Sequence, residues 1–206
     1  MELNRPLATI TPTLDGDVLA VLAQHDATFT TGQLHRVLNR YSEEGIRKVL
    51  LRLTRQGVVH SQRVGNAYSY RLNRQHLAAD PIIQLARLPR TLLQRLEDRL
   101  NSWAFPPTYA AVFGSAARGT MTEDSDLDLL LVRADDTPIH IWDEQVADLV
   151  ADVSRWTGND THPLEYTVSE LTTARDEFVV RDVLEDGLTV AGRRAWLSRQ
   201  LRARKD

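Results

Sequence analysis

Two aspartates one residue apart, Asp126 and Asp128 in Glu123-Asp124-Ser125-Asp126-Leu127-Asp128-Leu129, open an apolar stretch with the composition of a β-strand. Residues i and i+2 of a strand point to the same face, so the two carboxylates stand side by side. Unpaired, they repel and raise each other's pKa unless a cation lies between them. Hard divalent ions such as Mg²⁺ or Mn²⁺ take oxygen ligands, typically a few carboxylates with substrate phosphates and water. Two such ions about 3.5–4 Å apart activate a hydroxyl nucleophile and stabilise a leaving pyrophosphate. That arrangement calls for a third acid from a neighbouring strand. Glu165, polar between Leu164 and Tyr166, is the expected one.

A second group of residues precedes the pair. Gly114-Ser115 follows the apolar run Tyr109 to Phe113. Gly114 lets the chain turn tightly and lets a ligand approach the backbone. Ser115 is expected at a helix N-terminus, where free amides and the helix dipole attract phosphate. Arg118, one turn on, either adds charge toward a phosphate or braces the acidic loop. Asp124 shares the parity of the two aspartates and is read as a loop cap.

The pattern Gly-Ser-x-x-Arg-Gly followed by Ser-Asp-x-Asp-Leu is present as Gly114, Ser115, Arg118, Gly119, Ser125, Asp126, Asp128 and Leu129. It resembles the DNA polymerase β-like nucleotidyltransferase superfamily, especially its small minimal nucleotidyltransferases. The resemblance covers about residues 105–192, ending in Glu-Asp-Gly-Leu-Thr-Val-Ala-Gly. It implies that Gly114 and Ser115, with Arg118 and Ser125, bind an NTP, expected to be ATP. It implies that Asp126 and Asp128 bind the metal and are catalytic, the family's third carboxylate being matched by Glu165 where Asp is usual. Members of this kind often act with a partner protein, as in toxin–antitoxin pairs, so a partner protein as acceptor is implied by resemblance.

The elements that must position these residues alternate. Strands are expected at Tyr109–Phe113, Leu127–Val132, Leu164–Val168 and Leu188–Val190. Trp142, Val146, Leu149, Val150, Val153 and Trp156 mark an amphipathic helix, with others over 174–186 and from Arg194. The expected domain is a small mixed sheet flanked by helices, over residues 105–206. His162, before Pro163, is read as structural, and the four tryptophans as core or interface residues. The basic tail Arg199, Arg202, Arg204 and Lys205 suits a C-terminal helix dipole.

The first half has a different pattern. After an extended arm, Leu14, Val18, Leu19 and Leu22 form a helical stripe. A second helix starts at Thr30, which has capping-box spacing to Gln33, and turns Leu34, Val37, Leu38 and Tyr41 inward. A third follows Ser42 as N-cap, with Ile46, Val49, Leu50 and Leu53 inward and Gly57 just past its end. Val58–Arg63 and Ala67–Leu72 then flank a Gly65-Asn66 turn, a hairpin signal. Three helices and a hairpin over residues 1–79 match a winged helix-turn-helix, whose third helix enters the major groove. Arg47, Lys48, Arg52 and Arg55 on that helix, with Arg63 and Arg71 on the hairpin, are the candidate DNA contacts. Residues 80–104, interrupted at Pro89, are read as a helical connector.

Composition agrees with two jobs. Of 206 residues, 42% are hydrophobic and 26% charged, enough to bury a core. Residues 1–101 hold 14 Lys+Arg against 9 Asp+Glu and residues 102–206 hold 11 against 19, a basic half before an acidic one. The absence of cysteine excludes disulfides and thiol chemistry, and scattered histidines argue against zinc. No apolar run spans a bilayer and no signal peptide is seen, so a cytoplasmic location is expected. The leading expectation is a metal-dependent nucleotidyltransferase that passes a nucleoside monophosphate from NTP to a hydroxyl, joined to a module for double-stranded DNA. The alternative is a DNA-binding transcriptional regulator whose nucleotidyltransferase-like domain senses nucleotide without catalysis. A winged helix that only forms a homodimer stays open as a third.

Overall fold

The computed structural model describes residues 1–202. The tail residues Arg204 and Lys205 lie outside the described residues. The chain divides into two compact units, one of Glu2 and Asn4–Pro89, the other running from Arg90 with Met1 and Leu3. The stretch 80–104 is shared between them, one of its helices packing in each core. No helix of the described residues is long and apolar enough to cross a membrane.

In the N-terminal unit, the chain start is not extended. Pro6–Thr9 forms a 3₁₀ turn with Pro6 at its first position, and Leu7 is buried in the core. The elements that follow are α1 (Leu14–Gln24), β1 (Phe29–Thr30), α2 (Thr31–Val37) and α3 (Glu43–Arg55). After them come β2 (Val59–Val64), β3 (Ala67–Leu72) and α4 (Ala79–Ala86). Thr30 and Gln33 form the capping box of α2, and Ser42 Oγ accepts from Gly45 N at 3.1 Å to start α3. Ile46, Val49, Leu50 and Leu53 of α3 are buried, as their spacing predicts. Val37 is not: α2 ends there, and Leu34 and Leu38 make the core contact instead. The three strands pair antiparallel in the order β1-β3-β2.

The C-terminal unit begins with α5 (Leu88–Asn101), then β4 (Tyr109–Phe113), the short α6 (Gly114–Arg118) and β5 (Leu127–Arg133). Next come α7 (Ile139–Thr157), β6 (Thr161–Thr167), α8 (Val168–Thr173), α9 (Phe178–Asp186), β7 (Leu188–Ala191) and α10 (Arg194–Arg202). The sheet runs β6-β5-β4-β7 and is mixed: β4 pairs antiparallel with β5 and β7, while β5 and β6 are parallel. Its central strands are buried on both faces. Leu127, Leu129 and Leu131 share one core with α5 and α7, including Leu96, Trp142 and Leu149. Leu130 and Val132 share the other with Leu171, Val180, Val183 and Leu197 from α8, α9 and α10.

Two elements differ from their sequence patterns. The helix expected over 174–186 is α9, which starts only at Phe178, and a Thr167–Glu170 capping box starts the additional α8 directly off the strand before it. The strand expected at Leu164 begins at Thr161. That earlier start decides what stands opposite Asp128.

Candidate active site

β4 and β5 pair so that Phe113 faces Asp128, and the chain turns at Gly114 just beyond. Gly114 has φ +68°, which side chains rarely adopt. A Cβ built on it would collide with Asp128 Oδ2 and stand 3.3 Å from Asp128 Cγ. The space of the missing side chain is filled by the carboxylate, so the Gly114-Ser115 turn and Asp128 form one locus. Asp126 lies just before β5, exposed, with the parity of Asp128.

β6 runs parallel beside β5 and brings His162 level with Asp128. His162 Nδ1 lies 3.5 Å from Asp126 Oδ2. The Asp128 carboxyl is pushed above the usual aspartate pKa, first by burial. His162 and Arg118 oppose that rise, while the negative charges of Asp126 and Asp182 add to it.

Glu165 is not brought to the pair. It stands level with Leu131, three residues past Asp128, and an odd offset puts it on the opposite face of the sheet. There its Oε2 accepts from Nε1 of the buried Trp142 at 2.5 Å. A groove beside it, lined by Glu165, Tyr166, Glu170 and Glu177 among others, includes neither Gly114 nor the aspartates.

The other residues singled out in the sequence are placed as follows. Ser115 is the second residue of α6, directly after Gly114. Arg118 does not brace the acidic loop: its Nη1 donates to both oxygens of Asp182 on α9, at 2.6 and 2.7 Å. Ser125 holds the loop instead, its Oγ accepting from Thr122 N at 2.9 Å and its carbonyl from Asn159 Nδ2 at 2.9 Å. Asp124 is exposed. Sequence reasoning did not find Asp182, since nothing in the spacing links residues so far apart. His162 was legible as a residue at a strand start, but its neighbours follow only from strand register.

The metal question turns on the donors present. Among the described residues no three His, Asp or Glu side chains converge as a ready ligand set. Two carboxylates on one face, one of them half-buried and raised in pKa, fit an ion whose other ligands are phosphate oxygens and water. They do not make the three-acid cage.

In the N-terminal unit, the six candidate DNA contacts fall into two groups. Arg47 pairs with Glu44 at 2.8 Å, Lys48 lies 3.9 Å from the same carboxylate, and Arg52 contacts Asp15. Arg55, Arg63 and Arg71 are exposed, and among the described residues no carboxylate pairs with them. Arg63 Nε donates to Gly65 O at 3.2 Å, at the hairpin tip.

The nucleotidyltransferase domain family matches residues 90–198 of the chain. No curated protein matches it. Among solved structures, a toxin–antitoxin complex with AMP-PNP and a mutant of the toxin–antitoxin pair MntA-HpeT are similar in part. Each aligns at 16% identity and a TM-score of 0.40, over 53% of this chain and 80% of its own.

Proposed function

The chain belongs to the nucleotidyltransferase domain family, and from that premise we propose that it transfers a nucleoside monophosphate from an NTP, ATP by preference, to a hydroxyl of a macromolecular acceptor. The observation that carries this reading is the fit of Gly114 against the Asp128 carboxylate, with Asp126 on the same face. It joins a turn able to take phosphate to a pair of acids able to take a cation.

In this reading the backbone of the Gly114-Ser115 turn receives the triphosphate, and Arg118 adds positive charge beside it. Asp126 and Asp128 are the residues that would hold Mg²⁺ or Mn²⁺, with phosphate oxygens and water as further ligands. When bound, the ion neutralises phosphate charge and favours the acceptor alkoxide. The acceptor hydroxyl gives its proton to water, its oxygen attacks the α-phosphorus in line, the bond from that phosphorus to the oxygen bridging to the β-phosphorus breaks, and pyrophosphate leaves. Positioning and electrostatics supply the rate. Glu165 takes no part.

The N-terminal unit is, on the same proposal, a winged helix-turn-helix for double-stranded DNA. Its helices with a three-stranded antiparallel sheet, and the exposed Arg55, Arg63 and Arg71, support that reading. The position of Glu165 favours a second reading, in which the domain binds nucleotide and reports it to DNA without transfer.

Incubation with α-³²P-labelled NTPs, Mg²⁺ or Mn²⁺ and cell extract separates these. Labelling of a macromolecule is expected, falling about 100-fold or more when Asp126→Asn and Asp128→Asn are combined, as a loss of several kcal/mol of charge stabilisation requires. Undiminished labelling by that variant would refute the assignment. Metal-dependent NTP binding without label transfer would establish the sensing reading.

A further inference from the structure

Arg118 and Asp182 are brought together from α6 and α9 across 64 residues of chain, and both act on the charge of Asp128. Asp182 is largely buried, with 12% of its side chain exposed, whereas Arg118 keeps 41%. A partly exposed ion pair is in itself a weak source of stability. The arrangement makes chemical sense if the acid serves the guanidinium.

The geometry supports that. A guanidinium is planar, with five N–H donors in a fixed fork. Both Asp182 oxygens accept from Nη1 alone. Anchoring Nη1 orients the whole plane, while Nε and Nη2 have no hydrogen-bond partner among the described residues. The anchored group sits at the end of the helical turn that opens with Gly114 and Ser115.

We propose that Asp182 is a positioning residue of the nucleotide site, holding Arg118 so that its free Nε and Nη2 edge faces the triphosphate. This rests on the reading of the Gly114-Ser115 turn as the phosphate-binding element. Asp182 touches no reacting atom. It sets the orientation of a cation that does touch the phosphates.

The test uses the full chain, with ATP and Mg²⁺ as the probe, measuring the ATP Kd and KM, kcat and the thermal midpoint. Asp182→Asn is expected to raise the ATP Kd and KM about 10-fold, the scale of a charge-assisted hydrogen bond, with kcat and the midpoint nearly unchanged. Asp182→Glu is expected to restore most of the affinity. The exchange Arg118→Asp with Asp182→Arg rebuilds an ion pair, so it should keep the midpoint but not recover ATP affinity. Recovery of affinity by that exchange would show a mere tether and overturn the proposal, as would an unchanged KM in Asp182→Asn. If Arg118→Ala and Asp182→Asn both bind ATP normally while the Asp126 and Asp128 variant does not, this proposal fails and the functional reading stands. If the wild-type chain binds no ATP, both fail.

Discussion

The carboxyl of Asp128 fills the space over the bare Cα of Gly114, and its charge is felt by His162 one strand over and by Arg118 and Asp182 on α6 and α9. None of these is Glu165. The Glu165 carboxylate satisfies the indole N–H of Trp142, which is fully buried and otherwise has its polar atom in an apolar core. Glu165→Gln retains an oxygen acceptor for that bond, so it should leave nucleotidyl transfer within about two-fold of wild type. Glu165→Ala orphans the indole and should destabilise the chain by about 1–3 kcal/mol, the cost of an unmet buried donor. Parallel transfer assays and urea titrations would check both. Abolished transfer in a well-folded Glu165→Gln would return the residue to the site.

At the scale of elements, α1 is tied down by a network around Asp17, only 6% exposed. Arg5 donates Nε and Nη2 to its two oxygens at 3.2 Å, and Arg40 Nη2 and Tyr41 OH both approach Oδ2 to 2.5 Å. Burial alone would raise the pKa of Asp17, but the hydrogen bonds from Arg5, Tyr41 and Arg40 outweigh it and hold it below the usual aspartate value. A carboxyl with a lowered folded-state pKa contributes stability that is complete above its unfolded pKa, about 3.9, and is lost as pH falls through the folded value. Asp17→Asn should therefore cost about 3 kcal/mol near neutral pH, because the largely buried Arg5 and the half-exposed Arg40 lose the carboxylate they share. The difference from wild type should shrink below about pH 4. Denaturant melts of the full chain across pH 3–7 would test this; a difference that grows toward acid would contradict the assignment.

Across the whole molecule, the two compact units divide near Pro89, and the excess of basic residues in the N-terminal one overstates what it offers a polyanion. Glu44 and Asp15 already neutralise Arg47 and Arg52 in part. The proposed binding of double-stranded DNA therefore rests on Arg55, Arg63 and Arg71. Replacing those three by Ala should weaken binding uniformly across DNA sequences and reduce the salt slope by about 1 for each phosphate left without its cation. Arg47→Ala and Arg52→Ala should each do less. Fluorescence anisotropy of a labelled duplex at several salt concentrations would measure it, and unchanged affinity in the triple variant would argue for a protein-binding module.

Much of this was legible in the residues because it is local. The caps at Thr30 and Ser42, the buried face of α3, the hairpin at Gly65 and the shared parity of Asp126 and Asp128 all follow from side chains within a few positions of one another. The Gly-Ser turn and the Asp pair also follow from the chain itself, since a strand, a turn and a strand carry them in order. The tertiary structure alone decided which third group joins them. Parallel pairing of β5 and β6 is set by how α7 crosses back over the sheet, and its register determines whether His162 or Glu165 stands beside Asp128. A strand has a period of two, so one residue of offset reverses the face. The partner of Arg118 was likewise beyond reach of spacing: an ion pair between α6 and α9 exists only once both helices pack against β4 and each other.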